Sequence, residues 1–250
     1  HAYDDLAIVM VEVPSLPWGT LDVDIAKTLG IYRHLASVHG ALFVLDEIVT
    51  WPRYHLGGAQ TLYGVIPDLC TVSKAIANGL PLAALVGKRQ YMERLNTGDV
   101  FFSYTFSGET IALAAAKAVI MTLRDTDALA NLHSQGQRYG DGLQALFLEY
   151  ALPVALLGTP ARLAVRWQGV PDVATSQELR TLWLAEHARR GILMGIGVVF
   201  PMAVWRESDV TKLLMAAKEV CGFIRDALDN ERIKEALPCP VIDDVPLVRT

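Results

Sequence analysis

Short hydrocarbon runs alternate with helix-forming stretches through the early part of this chain, and that alternation leaves few folds open. "LAIVMVEV" at residues 6–13, "ALFVLDE" at 41–47, a short run near 68–72 and "LAALVG" at 82–87 are apolar on both faces. Strands with no polar face are buried on both sides, which points to a mostly parallel sheet with flanking helices, an α/β fold. A Pro/Gly-rich turn (Pro14, Pro17, Gly19) and a helix from about Asp22 to His39, closed by Gly40, separate the first two runs. None of the runs approaches the roughly 20 residues of a spanning helix, so no membrane segment is expected. The hydrophobic fraction of 52% therefore reads as core plus a subunit interface.

The 250 residues suffice for one large domain or two modest ones. An alanine-rich helix at 108–124 and a second helix at about 126–150 follow the strands. The composition shifts at "ALPVALLGTPARLAV", where prolines and short strand-like runs open a smaller α+β unit. The expected division is residues 1–150 and 151–250. In the second part, Thr175-Ser176-Gln177-Glu178 reads as a capping box for a helix ending before Gly191. Another helix, Ser208 to about Leu228, shows an apolar face at Val210, Leu213, Leu214, Ala217, Val220 and Ile224. The tail from Pro238 reads as extended.

A net charge of −5 without a basic cluster argues against nucleic acid as a partner. Cys70, Cys221 and Cys239 lack metal spacing and cannot all pair within one chain, which fits a reducing cytoplasm. The histidines show no metal spacing either, and no metal is expected; His34, His39, His55, His133 and His187 read as surface or packing residues. No targeting segment is visible, and a chain that opens at His1 almost directly in a strand is expected to lack an upstream part.

Two residues carry the chemistry. Asp46 ends a hydrocarbon strand, and the C-terminal ends of strands in such sheets face the ligand crevice. Lys74 follows the next strand and reaches the same edge, flanked by small or apolar residues that look ready to bury it. A lysine and an acid at adjacent strand ends suit pyridoxal 5'-phosphate. The amine forms a Schiff base with the aldehyde, its pKa lowered by partial burial, and the acid keeps the ring nitrogen protonated. A strand-end Asp is also an ordinary cap or turn former, and a lysine is more often a surface residue.

The stretch from Leu42 to Met92 resembles the core of the class III aminotransferases, in particular the branch with glutamate-1-semialdehyde aminomutase. The shared pattern is a strand ending in Asp46-Glu47, a Thr50-x-x-Arg53, Gly57-Gly58-Ala59-Gln60, a Gly-Val-x-Pro-Asp-Leu, Lys74 and a Gly-Leu-Pro. It continues through "SYTFSGETIALAAAKAVI" and weakens toward "EHARRGILMGIG". The resemblance implies a fold-type I enzyme moving an amino group between an amino donor and a carbonyl acceptor, with aminomutase or racemase chemistry as the alternative on the same scaffold. It implies that Lys74 holds the cofactor and moves the proton at the substrate Cα, that Asp46 pairs with the ring nitrogen, and that Ile48 packs on the ring. It further implies that Thr105 serves the cofactor phosphate of the neighbouring subunit in a homodimer. Without it, Ile48 is a core residue and Thr105 a loop residue. Arg53 is a candidate for a substrate carboxylate or a salt bridge, and Ser73 for the cofactor or backbone.

The chain also departs from the family pattern. Trp51-Pro52 stands where Gly-Phe is usual, Ala77-Asn78 replace glycines, and Ser-Gly-Glu109-Thr110 replaces Ser-Gly-Asn-Pro. These changes point away from the aminomutase reaction toward another donor or acceptor, such as an amino-sugar precursor. The family's phosphate-binding turn and ring-stacking aromatic have no match here, so a non-catalytic, dimerising homologue is the rival of another class.

Overall fold

The computed structural model describes residues 5–13 and 24–242. The expected turn at Pro14, Pro17 and Gly19 and most of the extended tail lie outside the described residues. The chain divides into two compact units, His1–Leu129 and Ala130–Thr250.

The first unit holds a four-stranded sheet in sequence order: β1 (Ile8–Glu12), β2 (Leu42–Asp46), β3 (Leu69–Val72) and β4 (Ala84–Gly87). The first three are parallel, with Glu12 opposite Asp46 and Asp46 opposite Thr71. β4 runs antiparallel to β3. A parallel return needs a long crossover, whereas Val72 and Ala84 are joined through only a one-turn 3-10 helix, Lys74–Ala77. Between β1 and β2 runs α1 (Ile25–Val38), started by the Asp24 carboxylate accepting the Lys27 N–H at 3.0 Å and stopped at Gly40, which takes φ +67°. Helices α2 (Gly58–Tyr63), α3 (Arg89–Met92) and α4 (Thr110–Asp125) complete the unit.

Leu29 and Ala36 of α1 and Phe43, Leu45, Cys70 and Val72 of the central strands form this unit's core. Double-sided burial holds only for the inner strands. On the edges, Ile8 and Met10 of β1 and Leu85 and Val86 of β4 are exposed. At the N-terminal end of β3, Asp68 binds four elements together. Its carboxylate accepts from Lys88 Nζ at 2.7 Å, from the Phe43 N–H at 3.0 Å and from the Arg33 guanidinium. Burial pushes its pKa up, but Lys88, the Phe43 N–H and Arg33 outweigh it, and the net shift is downward.

The second unit is built from the long helix α5 (Ala128–Glu149), the antiparallel strands β5 (Val154–Thr159), β6 (Arg162–Trp167) and β7 (Val198–Val199), and helices α6 (Ser176–Arg189), α7 (Glu207–Asp229) and α8 (Ile233–Ala236). The capping box forms as the sequence reads it: Glu178 N–H donates to Thr175 Oγ1 at 3.1 Å, and Thr175 N–H to Glu178 Oε2 at 2.7 Å. Phe147, Trp167 and Trp183 meet edge-on or tilted, with centroids 5.7 to 6.4 Å apart. Gly136 lets α5 lie against the β5–β6 turn, since a Cβ there would stand 1.9 Å from the Pro160 carbonyl oxygen. His187 is fully buried in this core. The tail begins pinned to α6, with Ile242 N–H on Thr181 Oγ1 at 2.9 Å.

Candidate active site

Because β2 and β3 are parallel, their C-terminal ends open on one edge. Asp46 lies there, half-buried and directly opposite Thr71. Its Oδ1 accepts from the Ile48 N–H at 3.0 Å and from the Thr71 hydroxyl at 3.2 Å. Two residues past Thr71, Ser73 donates its hydroxyl to the Leu82 carbonyl at 2.7 Å, so it serves the backbone of the loop. Lys74 then starts the 3-10 turn at φ +49°, a left-handed conformation that costs a non-glycine residue on the order of 1 kcal/mol or more and that concentrates at functional sites. The side chain is exposed, contrary to the burial its neighbours promise: Ile76 and Ala77 take the core side of the turn. Among the described residues, the Lys74 amine has no hydrogen-bond or ion-pair partner.

Period-two alternation sends Glu47 to the opposite face from Asp46. Glu47 is fully buried. Its Oε2 accepts the Ala59 N–H at 2.6 Å, with Thr50 Oγ1 at 3.5 Å, and Cys70 Sγ stands 3.7 Å from Oε1. Gly58, at φ +77°, makes this approach possible, since a Cβ there would sit 2.6 Å from Glu47 Oε1. Desolvation raises the Glu47 pKa, and these donors offset only part of it. The same burial, with the Glu47 charge beside it, pushes the Cys70 thiol up to about 12, so that thiol is inert at neutral pH. Glu47 thus ties the 50–60 loop to the strand end that carries Asp46.

Ile48 lines a cavity of about 1270 Å³ together with Thr71, Ser73, Tyr104, Phe106 and residues of β4 and α4. Asp46, Lys74 and Thr105 are not among its lining residues. Strand register, not this cavity, brings Asp46, Ile48 and Lys74 to one sheet edge, while Thr105 lies exposed in the turn before α4. Around it Phe101, Phe102, Tyr104 and Phe106 are all exposed. Glu109 caps α4, accepting the Ile111 and Ala112 N–H groups at 2.9 and 2.6 Å, which lowers its pKa and accounts for an acid at this helix entrance. Trp51 donates its indole N–H to the Leu56 carbonyl at 2.9 Å and closes its own loop. Among the described residues, no group of three or more metal-binding side chains gathers, and no helix is long and apolar enough to cross a membrane. Glu47 and Thr71 escape a reading of the sequence, because their roles depend on strand register and on the glycine approach at residue 58.

The donor set fits a cofactor with an aldehyde at one end and a basic ring nitrogen at the other. Among the described residues, a lysine amine without a partner and a carboxylate with one oxygen engaged and one open stand at adjacent strand ends.

Comparison with known proteins gives that geometry a family. Residues 3–156 match the family model for aminotransferase class III, and the chain belongs to that family. It is 33% identical over 193 residues to a 3-aminobutyryl-CoA aminotransferase of Cloacimonas acidaminovorans (strain Evry), covering 76% of this chain and 46% of that one. It is 37% identical over 141 residues to glutamate-1-semialdehyde 2,1-aminomutase 2 of Brevibacillus brevis, covering 56% and 33%. The chain thus spans less than half the length of these two relatives. The FumI protein of Sphingopyxis sp. MTA144, solved in its PLP internal aldimine form, superposes with a TM-score of 0.80 at 22% identity, covering 91% of this chain and 54% of that one. At that identity the likeness shows the fold alone.

Proposed function

We propose that this chain carries the lysine-bearing half of a pyridoxal-5'-phosphate-dependent aminotransferase that moves an amino group between an amino donor and a carbonyl acceptor. One observation carries the reading: a lysine in a left-handed turn just past the end of β3 and a carboxylate at the end of the adjacent parallel strand β2, the amine and one carboxylate oxygen having no partner among the described residues, stand together in a class-III family member. Lys74 would hold the cofactor covalently through its amine and, once the substrate amine has displaced it, would move the proton from the substrate Cα to C4′ of the cofactor. Asp46 would hold a proton on the ring nitrogen, and Ile48 would pack against the ring face. The bound cofactor would supply an electron sink for the charge that develops at Cα. Residues 1–150 would form the later part of the cofactor domain, and residues 151–250 the small C-terminal domain. Thr105 would reach a partner subunit's cofactor phosphate in a homodimer, a role supported by its exposure amid four exposed aromatic rings. Cys70, Cys221 and Cys239 are all free thiols, in keeping with a cytoplasmic protein.

Intramolecular amino transfer is the second reading, favoured by the identity to the Brevibacillus brevis aminomutase. Loading the protein with cofactor and supplying amino donors without an acceptor separates the two. An aminotransferase releases about one equivalent of carbonyl product per site and stops. An aminomutase turns over its single substrate without any acceptor. A folded protein that takes up no cofactor would contradict both and leave a dimerising homologue without activity.

A further inference from the structure

A carboxylate held by a single donor can exchange its two oxygens by rotating about Cβ–Cγ, and then neither oxygen has a fixed task. Asp46 is held by two donors on the same oxygen, Oδ1: the Ile48 N–H at 3.0 Å and the Thr71 hydroxyl at 3.2 Å. Oδ2 has no partner among the described residues. The Ile48 donor is backbone from two residues on in the same chain segment, whereas the Thr71 donor comes across the sheet from β3. A carboxylate only accepts, so the Thr71 hydroxyl must donate here.

Thr71 is itself fixed. Its carbonyl accepts the Glu47 N–H at 2.9 Å, so residue 71 grips both residues of the Asp46-Glu47 pair. It stands opposite Asp46 in the parallel register, and its β-branched side chain has few χ1 choices. Cys70 and Val72 on either side of it face the core, which sends the Thr71 side chain to the face that carries Asp46.

We propose that Thr71 is a positioning residue: its hydroxyl locks Asp46 Oδ1 and so presents Oδ2 to the protonated ring nitrogen of the cofactor. This rests on the pyridoxal phosphate reading above. Removal of the hydroxyl frees the carboxylate to rotate and spreads its charge over two orientations. The ring nitrogen then holds its proton less firmly, and cofactor binding weakens.

The test loads the parent chain, Thr71→Ser, Thr71→Val and Thr71→Ala with cofactor labelled with nitrogen-15 in the ring, and follows the nitrogen shift against pH beside the dissociation constant. Thr71→Ser keeps the donor and is expected to titrate as the parent does. Thr71→Val and Thr71→Ala are expected to lower the midpoint of ring-nitrogen titration by about one pH unit and to weaken binding about tenfold, the effect of one hydrogen bond to a charged group. Alanine adds no bulk and carries the same expectation if the valine variant does not fold. Hydroxyl-free variants that titrate as the parent overturn the proposal, even where they bind more weakly, since packing alone would explain that. A folded parent that takes up no cofactor overturns this proposal and the function it rests on together.

Discussion

Two aspartates at opposite ends of one sheet divide its labour. Asp68, at the N-terminal end of β3, is 3% exposed and saturated by a lysine, an arginine and a backbone N–H. Asp46, at the C-terminal end of β2, is half-buried with one oxygen engaged and the other open. Both close a hydrocarbon strand region with a carboxylate. Saturation makes the first a clamp on the fold, and the spare oxygen leaves the second available to a ligand.

The sharpest way to break this contrast is to neutralise the open end. Asp46→Asn should lower the amino-transfer rate of the loaded enzyme about 100-fold or more, because an amide does not hold the ring proton, while stability to urea changes by less than about 0.5 kcal/mol. Rate and urea melts on the same preparation check both halves.

A second effect extends the contrast to a buried group with an unmet polar atom. His187 places Nδ1 2.8 Å from the Trp183 carbonyl, and Nε2 is buried with no partner among the described residues. Burial first, opposed by the Trp183 carbonyl and Glu186 and reinforced by the Arg190 charge, brings its pKa from 6.5 down to about 4. The unfolded chain binds the proton more readily between those values, so its contribution is full above about 6.5 and is lost as pH falls toward 4. Acid unfolding should show a loss of up to about 3 kcal/mol across that window. A His187→Phe variant should flatten this slope.

Asp68→Ala should cost about 2 kcal/mol, less than the removal of one partner from a fully buried ion pair, since Arg33 and Lys88 can turn to water. Chemical denaturation reads that loss, and cofactor uptake by the folded fraction should be unchanged. Glu109→Ala should give the smallest effect, a slight fall in the melting temperature from an uncapped α4, with no change at the strand ends.

Local signals in the sequence carried well into the structure. The capping box at Thr175 and Glu178, the apolar stripe of α7 and the ends of β2 and β3 depend on neighbours a few residues apart. What stayed hidden depends on pairing across long separations. The antiparallel direction of β4, the convergence of Arg33 and Lys88 on Asp68, and the Thr71 hydroxyl opposite Asp46 all require a register that no local pattern states. Lys74 shows the same limit in reverse: its small apolar neighbours suggested burial, but the lysine is exposed in a left-handed turn while Ile76 and Ala77 are buried.

The central claim, that Lys74 is the residue that holds pyridoxal phosphate, has a direct test. Purified chain incubated with pyridoxal phosphate is reduced with borohydride, digested and mapped by mass. The account predicts a yellow protein carrying a reduced pyridoxyl label on Lys74, with no label at that site and no yellow band in Lys74→Ala. A folded chain that stays colourless, or a label spread over surface lysines with Lys74 spared, would contradict it.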